Sequence, residues 1–226
     1  MRTQKRDVQR AAVALFAQKG FAATGIRELG GAAGINSATL YHHIGGGKEA
    51  LLAAIMRTCL DELLRGGRGA VAESSDPTLQ LIALIASHVG ISALNPLTAR
   101  VTDQEMRSLS AQNFEVLVAL RDDYESMFSS VLERGVRTGA FQLTDVRLAR
   151  LAILEMCNGV AHWYRPDGRL GVEEVQRRFV EFGIRMIGAD PTRVTEFGHL
   201  PEPIKLDIEP RPGNPGHEKA SAEASA

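Results

Sequence analysis

The apolar residues of the chain recur at intervals of three and four along most of its length, which predicts a succession of helices. One such rhythm covers residues 48–65, and the glycine-rich stretch 66–69 then interrupts it. Asp76 and Pro77 follow in the positions of an N-cap and a first helical residue. They predict the start of a very apolar helix over residues 78–94.

Three more helical patterns occupy the centre of the chain. Proline opens a short one over residues 96–107, and a long one over residues 111–137 ends at Gly139. Asp145 predicts the cap of the next helix, whose centre, residues 151–157, is apolar almost all round. A helix that is apolar on every side must be covered by other elements.

The last helical pattern, from Val172 to about Ile187, carries two apolar stripes. The first consists of Val172, Val175, Phe179, Phe182 and Met186, and the second of Val180, Ile184 and Ile187. One stripe can close the core of the protomer, and the other then needs a partner, so we predict a four-helix homodimer interface built from the last two long helices. The alternative is that both stripes serve one wide internal face. The residues predicted at the interface are Leu151, Trp163, Val172, Val175, Phe179, Phe182 and Met186.

Polar sequence rich in proline follows from Asp190 onward, where six of the nine prolines of the chain occur without helical rhythm. A segment of this composition buries too little apolar surface to offset the entropy of ordering it. Residues 190–226 are therefore predicted to be a disordered tail.

Residues 24–52 read as two short helices joined by a tight turn and followed by a longer helix. Thr24 can cap the first helix, whose apolar stripe is Ile26, Leu29 and Ala33, and Gly34 has the position of a left-handed residue that ends it. Asn36 is then a suitable N-cap for a second helix over residues 37–44. A helix, a turn with glycine and a second helix form the arrangement that places a recognition helix in the major groove of DNA.

The second of these helices has one apolar side and one polar side. Leu40 and Ile44 can face the core, while Tyr41 and His42 couple a polar tip to a flat ring and suit contacts with phosphate and sugar. Lys48, near the start of the next helix, can bind a phosphate together with free backbone amides. The residues predicted to bind DNA are Thr24, Asn36, Ser37, Ala38, Thr39, Tyr41, His42, His43 and Lys48. The alternative is a polar face that is merely solvated.

The formal net charge of −1 is divided unevenly along the chain. Residues 1–50 hold seven lysines and arginines against three acids, a surplus of +4, and the remainder carries −5. A basic head on an acidic body suits attraction to DNA phosphates. No apolar run is long enough for a membrane span, residues 2–10 are too polar for a signal peptide, and Cys59 and Cys157 lie in apolar contexts that favour buried thiols over a disulfide. A soluble cytoplasmic protein is expected.

Groups for catalysis do not converge in the sequence. Cys157 and His162 are five residues apart, which is not one helix face, and no third polar group accompanies them. The six histidines show no zinc-ligand spacing with the two cysteines, and the Gly-Gly-Gly-Lys run lacks the full spacing of a phosphate-binding loop. We expect no enzyme activity, no metal and no cofactor. His88, on an apolar helix, is expected to be a satisfied core or pocket histidine.

The segment from Val8 to Leu52 resembles the DNA-binding domain of TetR-family transcriptional regulators. The residues that carry the resemblance are Ala12, Leu15, Phe16, Gly20, Phe21, Thr24, the runs 26–29 and 32–35, Thr39 to His43, and Lys48 to Leu52. The resemblance implies an all-α protein: a helix-turn-helix domain in residues 1–50 and a larger helical domain for ligand binding and dimerisation in residues 51–189. It implies double-stranded operator DNA as a partner.

A sparser resemblance covers the second half of the chain. The run His162-Trp163-Tyr164-Arg165-Pro166, with residues 120–125 and 133–136, is similar to the C-terminal domain of TetR-family repressors of steroid-ring and acyl-CoA catabolism. That likeness implies a coenzyme A thioester as effector, and Arg100, Arg107 and Arg121 suit such an anion. A structural role for Trp163 and a turn at residues 166–168 is the alternative interpretation of the run.

The sequence therefore predicts a dimeric repressor that a small amphipathic effector releases from its operator. The residues predicted to line the effector site are Leu81, Ile85, His88, Arg100, Arg107, Phe114, Leu117, Arg121 and Met156. Two alternatives stay open. One is a repressor of the same fold that senses cationic or aromatic drugs, and the other is an architectural DNA-binding dimer that needs no ligand.

Overall fold

The computed structural model describes residues 2–211, apart from the side chains of Arg2, Thr3, Ser37 and His43. Within these residues the chain folds into ten α-helices and one 3-10 turn and contains no strand, so the predicted all-α class is confirmed. The elements are α1 (Arg2–Lys19), α2 (Ile26–Ala32), α3 (Ser37–Ile44), α4 (Gly47–Ala72), α5 (Pro77–Leu94), α6 (Pro96–Gln104), the 3-10 turn (Met106–Ser108), α7 (Ala111–Thr138), α8 (Val146–Trp163), α9 (Val172–Met186) and α10 (Thr192–Glu196).

Local caps begin and end these helices much as the sequence predicts. The Asp76 carboxylate accepts hydrogen bonds from the amides of Thr78 and Leu79 at 2.7 and 3.2 Å, with Pro77 at the first position of α5. Asp145 caps α8 in the same way, and Gly139 ends α7 in the left-handed conformation with φ 77°. These caps satisfy amides and carbonyls that the helix itself leaves unpaired.

The helix α4 is longer than predicted, because the glycine-rich stretch 66–69 does not interrupt it. A Cβ on Gly67 would lie 3.0 Å from the Met127 sulfur and 3.1 Å from the Tyr124 ring, and a Cβ on Gly66 would collide with Ser87. The two glycines therefore let α5 and α7 approach α4 closely, and the tight packing between these helices outweighs the low helix propensity of glycine.

Two hydrophobic cores share the chain. The head core joins α1, α2 and α3 to the first half of α4, with Leu29, Leu40 and Leu52 fully buried. The body core surrounds α5, whose residues are almost all buried against α4, α7, α8 and α9. Since α4 contributes side chains to both cores, it connects them, and α6 and α7 also reach the head core through Val101 and Leu117.

The helix α5 has the length and composition of a membrane span, with a mean hydropathy of 1.5 over 18 residues, which the sequence prediction did not allow for. However, 78% of it is buried inside the protein. An all-apolar helix that other helices cover is a core helix, and α5 is one.

The two stripes of α9 do not divide as the sequence predicts. Val180, Ile184 and Ile187 are fully buried, and Val175, assigned to the other stripe, is also buried in the body core. Phe182 and Met186 are exposed by 53% and 44%. The prediction of Val175 at the dimer interface was therefore wrong, because α9 turns this residue toward α5.

The prediction of disorder from residue 190 was wrong for residues 190–211. They contain α10 and continue as an extended segment in which Leu206, Ile208 and Glu209 are buried. The hydrophobicity of the segment is low, but a few apolar side chains and specific hydrogen bonds anchor it. Residues 212–226 lie outside the described part of the chain.

Candidate DNA interface and effector cavity

The helix α3 is oriented by its cap and by two apolar side chains. Asn36 accepts a hydrogen bond from the amide of Thr39 at 2.8 Å, which confirms the predicted N-cap. Leu40 and Ile44 are buried in the head core, as predicted. Gly34 has φ 68° in the turn before α3, as its predicted left-handed role requires.

The opposite face of α3 is accessible. Tyr41 is 58% exposed, Ala38 and His42 are exposed, and Thr39 is partly buried. The backbone of Ser37 and His43 belongs to α3, but their side chains lie outside the described part of the structure. An accessible row of small and aromatic polar residues on a short helix can approach base edges and phosphates.

Thr24 does not have the predicted role. Its side chain is 2% exposed, and its hydroxyl donates to the carbonyl of Gly20 at 2.8 Å, while Gly25 is the N-cap of α2. A buried side chain cannot touch DNA. Thr24 therefore closes the turn between α1 and α2, and its prediction as a DNA contact was wrong.

The ammonium of Lys48 is already engaged inside the head. It donates to the carbonyls of Phe21 and Thr24 at 2.7 and 2.9 Å, and it lies 4.1 Å from the centroid of the Phe21 ring. These bonds tie the start of α4 to the turn before α2. The predicted phosphate contact of this side chain conflicts with that geometry, because two of its three donors are used and the side chain is extended toward the turn.

Several basic groups of the head are also paired. Arg10 binds Asp7 at 3.0 Å, Arg6 binds Asp207 at 2.8 Å, and Lys19 binds Glu28. Among the described side chains of the head, Lys5 and Arg27 are exposed and form no ion pair. The net attraction of the head for phosphate is therefore smaller than its count of basic residues suggests.

A cavity of about 90 Å³ lies between α4, α5, α6, the 3-10 turn, α7 and α8. One water molecule requires about 10–15 Å³ of such cavity volume, so this cavity holds several waters or a short organic group. Its lining consists of Cys59, Leu60, Leu63, His88, Ile91, Ser92, Ala99, Thr102, Asp103, Met106, Arg121, Tyr124, Glu125, Leu154 and Asn158. The lining is apolar toward α4 and polar toward α7 and α8.

Three neutral polar side chains form a chain of hydrogen bonds in this lining. The Tyr124 hydroxyl lies 3.1 Å from His88 Nδ1, and His88 Nε2 lies 2.9 Å from Asn158 Oδ1. Because Asn158 Oδ1 is an acceptor, His88 carries its hydrogen on Nε2 and accepts from Tyr124 at Nδ1. Burial lowers the pKa of His88 to about 4, against the bond with Asn158, and burial raises the pKa of Tyr124 well above its ordinary value. All three are uncharged at neutral pH.

Charged groups lie at the other side of the cavity. Glu125 is 3.6 Å from Arg121 and 3.5 Å from Arg150, so its charge is balanced. Asp103, on α6, is exposed. Arg121 is the cation among the lining residues, and an anionic part of a ligand would share it with Glu125 and with Asp122, which lies 3.9 Å away.

Of the residues predicted to bind the effector, His88 and Arg121 line the cavity. Leu81 and Ile85 are fully buried in the body core, and Leu117 is buried in the head core, so these three serve packing. The others lie elsewhere: Phe114 and Arg107 are exposed, Arg100 is partly buried on α6, and Met156 packs against the body core.

Sequence reasoning missed Tyr124 and Asn158. Tyr124 follows the apolar rhythm of the helix over residues 111–137, and nothing in the sequence distinguishes Asn158 from a surface amide. The only signal was His88 itself, because a buried histidine needs partners for both nitrogens. Partners 36 and 70 residues away in the chain become visible only in the folded protein.

An apolar surface remains on α8 and α9. Leu151 is 42%, Trp163 51%, Phe182 53% and Met186 44% exposed. The Trp163 ring stacks on Phe179 with centroids 5.8 Å apart, and Phe179 contacts Phe182 at 6.1 Å. Several exposed large apolar side chains on two neighbouring helices are typical of an interface.

Comparisons with known proteins bear on both halves of the chain. Residues 9–55 match the family of bacterial regulatory proteins named tetR, and residues 74–187 match a tetracyclin repressor-like C-terminal domain. The chain is 33% identical over 181 residues to the HTH-type transcriptional repressor KstR2 of Rhodococcus jostii (strain RHA1), and the match covers 79% of this chain and 87% of that protein.

Two solved structures are also similar. The ketosteroid transcriptional regulator KstR2 of Mycobacterium tuberculosis gives a TM-score of 0.75 at 26% identity, over 81% of this chain and 94% of that one. AibR in complex with isovaleryl coenzyme A and operator DNA gives a TM-score of 0.70 at 22% identity, over 79% of this chain and 97% of that one, which is a likeness of fold.

Proposed function

The chain belongs to the TetR family of bacterial regulatory proteins and is a ligand-responsive DNA-binding transcriptional repressor, and on that premise we propose its contacts, its effector and its assembly. We propose that it acts in the cytoplasm as a homodimer, as members of this family typically do. The exposed apolar surface of α8 and α9 supports this assembly, because a second copy would cover it.

The DNA contact is proposed for the exposed face of α3, with Tyr41, His42, Ala38 and Thr39 as its described members. The observation that carries this proposal is that the cap and two buried side chains of α3 leave this face free of the head core. The backbone amides at the start of α4 lie next to it and suit a phosphate. In a two-fold dimer, the two recognition helices would read half-sites about 34–36 Å apart.

The effector is proposed to place a short acyl group in the cavity, with the anionic remainder of a coenzyme A thioester outside near Arg121. The cavity volume of about 90 Å³ fits a short branched acyl group better than a steroid ring system. The side-chain NH2 of Asn158 can donate a hydrogen bond to the thioester carbonyl, as the burial of an acyl group requires, since the Oδ1 atom is the one that pairs with His88. The complex of AibR with isovaleryl coenzyme A supports the same class of ligand.

A second candidate is a repressor that senses hydrophobic cations. Asp103 and Glu125 line the cavity, and a carboxylate together with an aromatic ring favours a cation. The ion pairs of Glu125 with Arg121 and Arg150 weigh against it, because a cation would compete with two arginines already in place.

The experiment starts from a genomic DNA fragment selected by the full-length protein. Its dissociation constant is measured by fluorescence anisotropy alone, with isovaleryl coenzyme A, with a ketosteroid-derived coenzyme A thioester, and with tetraphenylphosphonium. We expect isovaleryl coenzyme A to raise the melting temperature and weaken DNA binding by a factor of about 5–150, the usual range of coupling between two sites. Both effects from the cation alone would establish the second candidate, and neither effect from any probe would contradict ligand release.

A further inference from the structure

The segment 201–209, here named the C-terminal strap, crosses four helices in sequence. Gln176 of α9 is fully buried and donates to the carbonyls of Ala86 and Pro201 at 2.9 and 3.1 Å, which fixes the beginning of the strap. Gly90 of α5 packs directly against Pro203. A Cβ added to this glycine would lie 3.0 Å from the Cβ of Pro203. The matched family domain ends at residue 187, so the likeness to the family does not account for this segment.

The strap next binds the corner between α5 and α6. Asn95, fully buried at that corner, donates to the carbonyl of Ile204 at 2.8 Å and accepts from the amide of Leu206 at 2.6 Å. These two bonds reproduce the pattern of a backbone pair, and they hold the strap in register against the corner. Because Nδ2 of Asn95 must face a carbonyl and Oδ1 must face an amide, the side-chain amide has only one favourable orientation.

Glu209 completes the attachment to α6. Its carboxylate, 4% exposed, accepts bonds from the amides of Leu97 and Thr98 at 3.0 Å each and from the Thr98 hydroxyl at 2.6 Å. These are unpaired amides of the first turn of α6, where the helix dipole favours a negative charge. Burial nevertheless raises the pKa of Glu209 above its ordinary value. The hydrogen bonds donated by Thr98 and Leu97 oppose this shift, because they stabilise the ionised carboxylate.

The strap also binds the DNA-binding head. Leu206 and Ile208 are buried in the head core, the same core that contains Val8 of α1. Asp207 pairs with Arg6 at 2.8 Å, and its carbonyl accepts a bond from Arg10 at 2.7 Å. One segment therefore adds to the direct packing of α6 on α1, beside the longer route through α4.

The two sides of the corner line the effector cavity. Ile91 and Ser92 of α5, and Ala99, Thr102 and Asp103 of α6, face it. The Thr102 hydroxyl donates at 2.8 Å to the carbonyl of Thr98, the residue that binds Glu209. A ligand that displaces α6 must therefore move the strap, and the strap is fixed to α1.

We infer that the C-terminal strap is a further mechanical link between the effector cavity and the DNA-binding head, beside α4 and the direct packing of α6 on α1, with Glu209 and Asn95 as the positioning residues that attach it to α6. The inference rests on the proposed function for the identity of the ligand. The contacts of the strap do not depend on that function. A repressor with the strap detached would still bind DNA through α3, yet its affinity would respond less to occupancy of the cavity.

The test compares Glu209→Ala with Glu202→Ala in the full-length protein. Glu202 is an exposed acid of the same strap, so its removal controls for the loss of a carboxylate. In hydrogen exchange without ligand or DNA, we expect Glu209→Ala to speed exchange at least about tenfold in residues 97–98 and also in α1. The control should match the wild type. Faster exchange confined to residues 97–98, with α1 unchanged, overturns the link, because the strap would then only pack against the body.

A second arm replaces the ligand by a cavity-filling side chain, so that failure of the proposed effector is recognised separately. Ala99→Leu should alter exchange in α1 in the wild-type background and alter it at least about threefold less in the Glu209→Ala background, where only the direct packing of α6 on α1 and the route through α4 remain. An equal effect in both backgrounds contradicts the inference. With isovaleryl coenzyme A as probe, release of DNA should fall at least about threefold in Glu209→Ala; no release from the wild type itself refutes the proposed function alone.

A third variant covers the case in which Glu209→Ala does not fold. Gly90→Ala adds a Cβ 3.0 Å from Pro203 and 2.8 Å from the Gln176 amide, so it displaces the beginning of the strap and leaves Glu209 intact. The same increase of exchange in α1 is expected. Unchanged exchange in α1, in a variant whose strap residues exchange faster, would also overturn the inference.

Discussion

Individual side chains in this protein divide sharply between those that face outward for recognition and those that hold the head together. Tyr41 and Lys48 illustrate the division, because both look like DNA contacts in the sequence. Tyr41 is exposed, whereas the ammonium of Lys48 binds two backbone carbonyls and a ring within the head. The same separation distinguishes exposed His42 from His88, whose two nitrogens both have partners in the cavity lining.

Replacement of Tyr41 by alanine should weaken operator binding and leave the fold intact. Loss of a specific contact costs on the order of 1–3 kcal/mol, while an exposed ring contributes little to folding. Anisotropy with the selected DNA measures the first effect and thermal unfolding the second. Arg137→Ala, at the far end of α7, is the control and should bind DNA as the wild type does.

Lys48→Met should lower stability rather than change the salt dependence of DNA binding. It removes a donor from the carbonyl of Phe21, which keeps the amide of Thr24, and from the carbonyl of Thr24, and the loss costs about 1–3 kcal/mol if the Thr24 carbonyl stays buried. A phosphate contact would instead change the slope of log Kd against log salt by about 1. A variant of unchanged unfolding free energy with a smaller salt slope would restore the role that the sequence predicts.

His88 should make the protein less stable in mild acid. Its folded pKa of about 4 lies below the ordinary value of 6.5, so the unfolded chain takes up a proton first as the pH falls. The stability it contributes is complete above pH 6.5 and is lost between there and pH 4, by on the order of 3 kcal/mol. Urea unfolding at pH 7 and pH 4.5 should show a smaller decrease for His88→Gln than for the wild type. Equal decreases would show that His88 does not titrate in this way.

At the scale of elements, close packing between helices influences which segments are ordered and where a helix ends more strongly than local sequence propensity does. The glycines in the middle of α4 read as a break, yet the helix continues because α5 and α7 pack where side chains would otherwise stand. Likewise the proline-rich segment after α9 reads as disorder, yet it is anchored by Asn95 and Glu209.

A pair of glycine substitutions in α4 tests this point. Gly67→Val should destabilise the protein by on the order of 1–3 kcal/mol, because even a Cβ there would lie within 3.0–3.3 Å of Met127 and Tyr124. Gly69→Ala should be neutral or stabilising by up to about 1 kcal/mol, since no atom lies within 4 Å of the added Cβ and alanine favours the helix. Chemical unfolding measures both. If the two variants were equally stable, packing would not explain Gly67.

At the scale of the whole molecule, the head and body are joined by α4, by the direct packing of α6 on α1 and by the strap, and the body leaves an apolar surface on α8 and α9. This arrangement suits a regulator in which a movement of the body helices alters the spacing and orientation of the two DNA-binding heads in a dimer. Since two recognition helices must match one groove spacing, a small tilt of each head would cause a large loss of affinity.

Phe182→Glu should convert the protein to monomers that remain folded. Phe182 is 53% exposed on α9, so the charge costs little in the protomer but would be buried without a partner in a dimer. Val136→Glu places the same charge at an exposed apolar position of α7 and is the control. Sedimentation at micromolar concentration measures both. A wild-type protein that sediments as a monomer would contradict the proposed interface.

Most helix boundaries and the helix-turn-helix head could be predicted from the sequence, because caps such as Asp76, Asn36 and Asp145 act on amides two or three residues away. The family could be recognised in the same way, since its motif is local. The polar residues of the cavity lining, the partners of Lys48 and the anchoring of residues 201–209 became visible only in the folded chain. Those features depend on pairs distant in the chain, such as Thr98 with Glu209, 111 residues apart, and no local pattern encodes which pairs will meet.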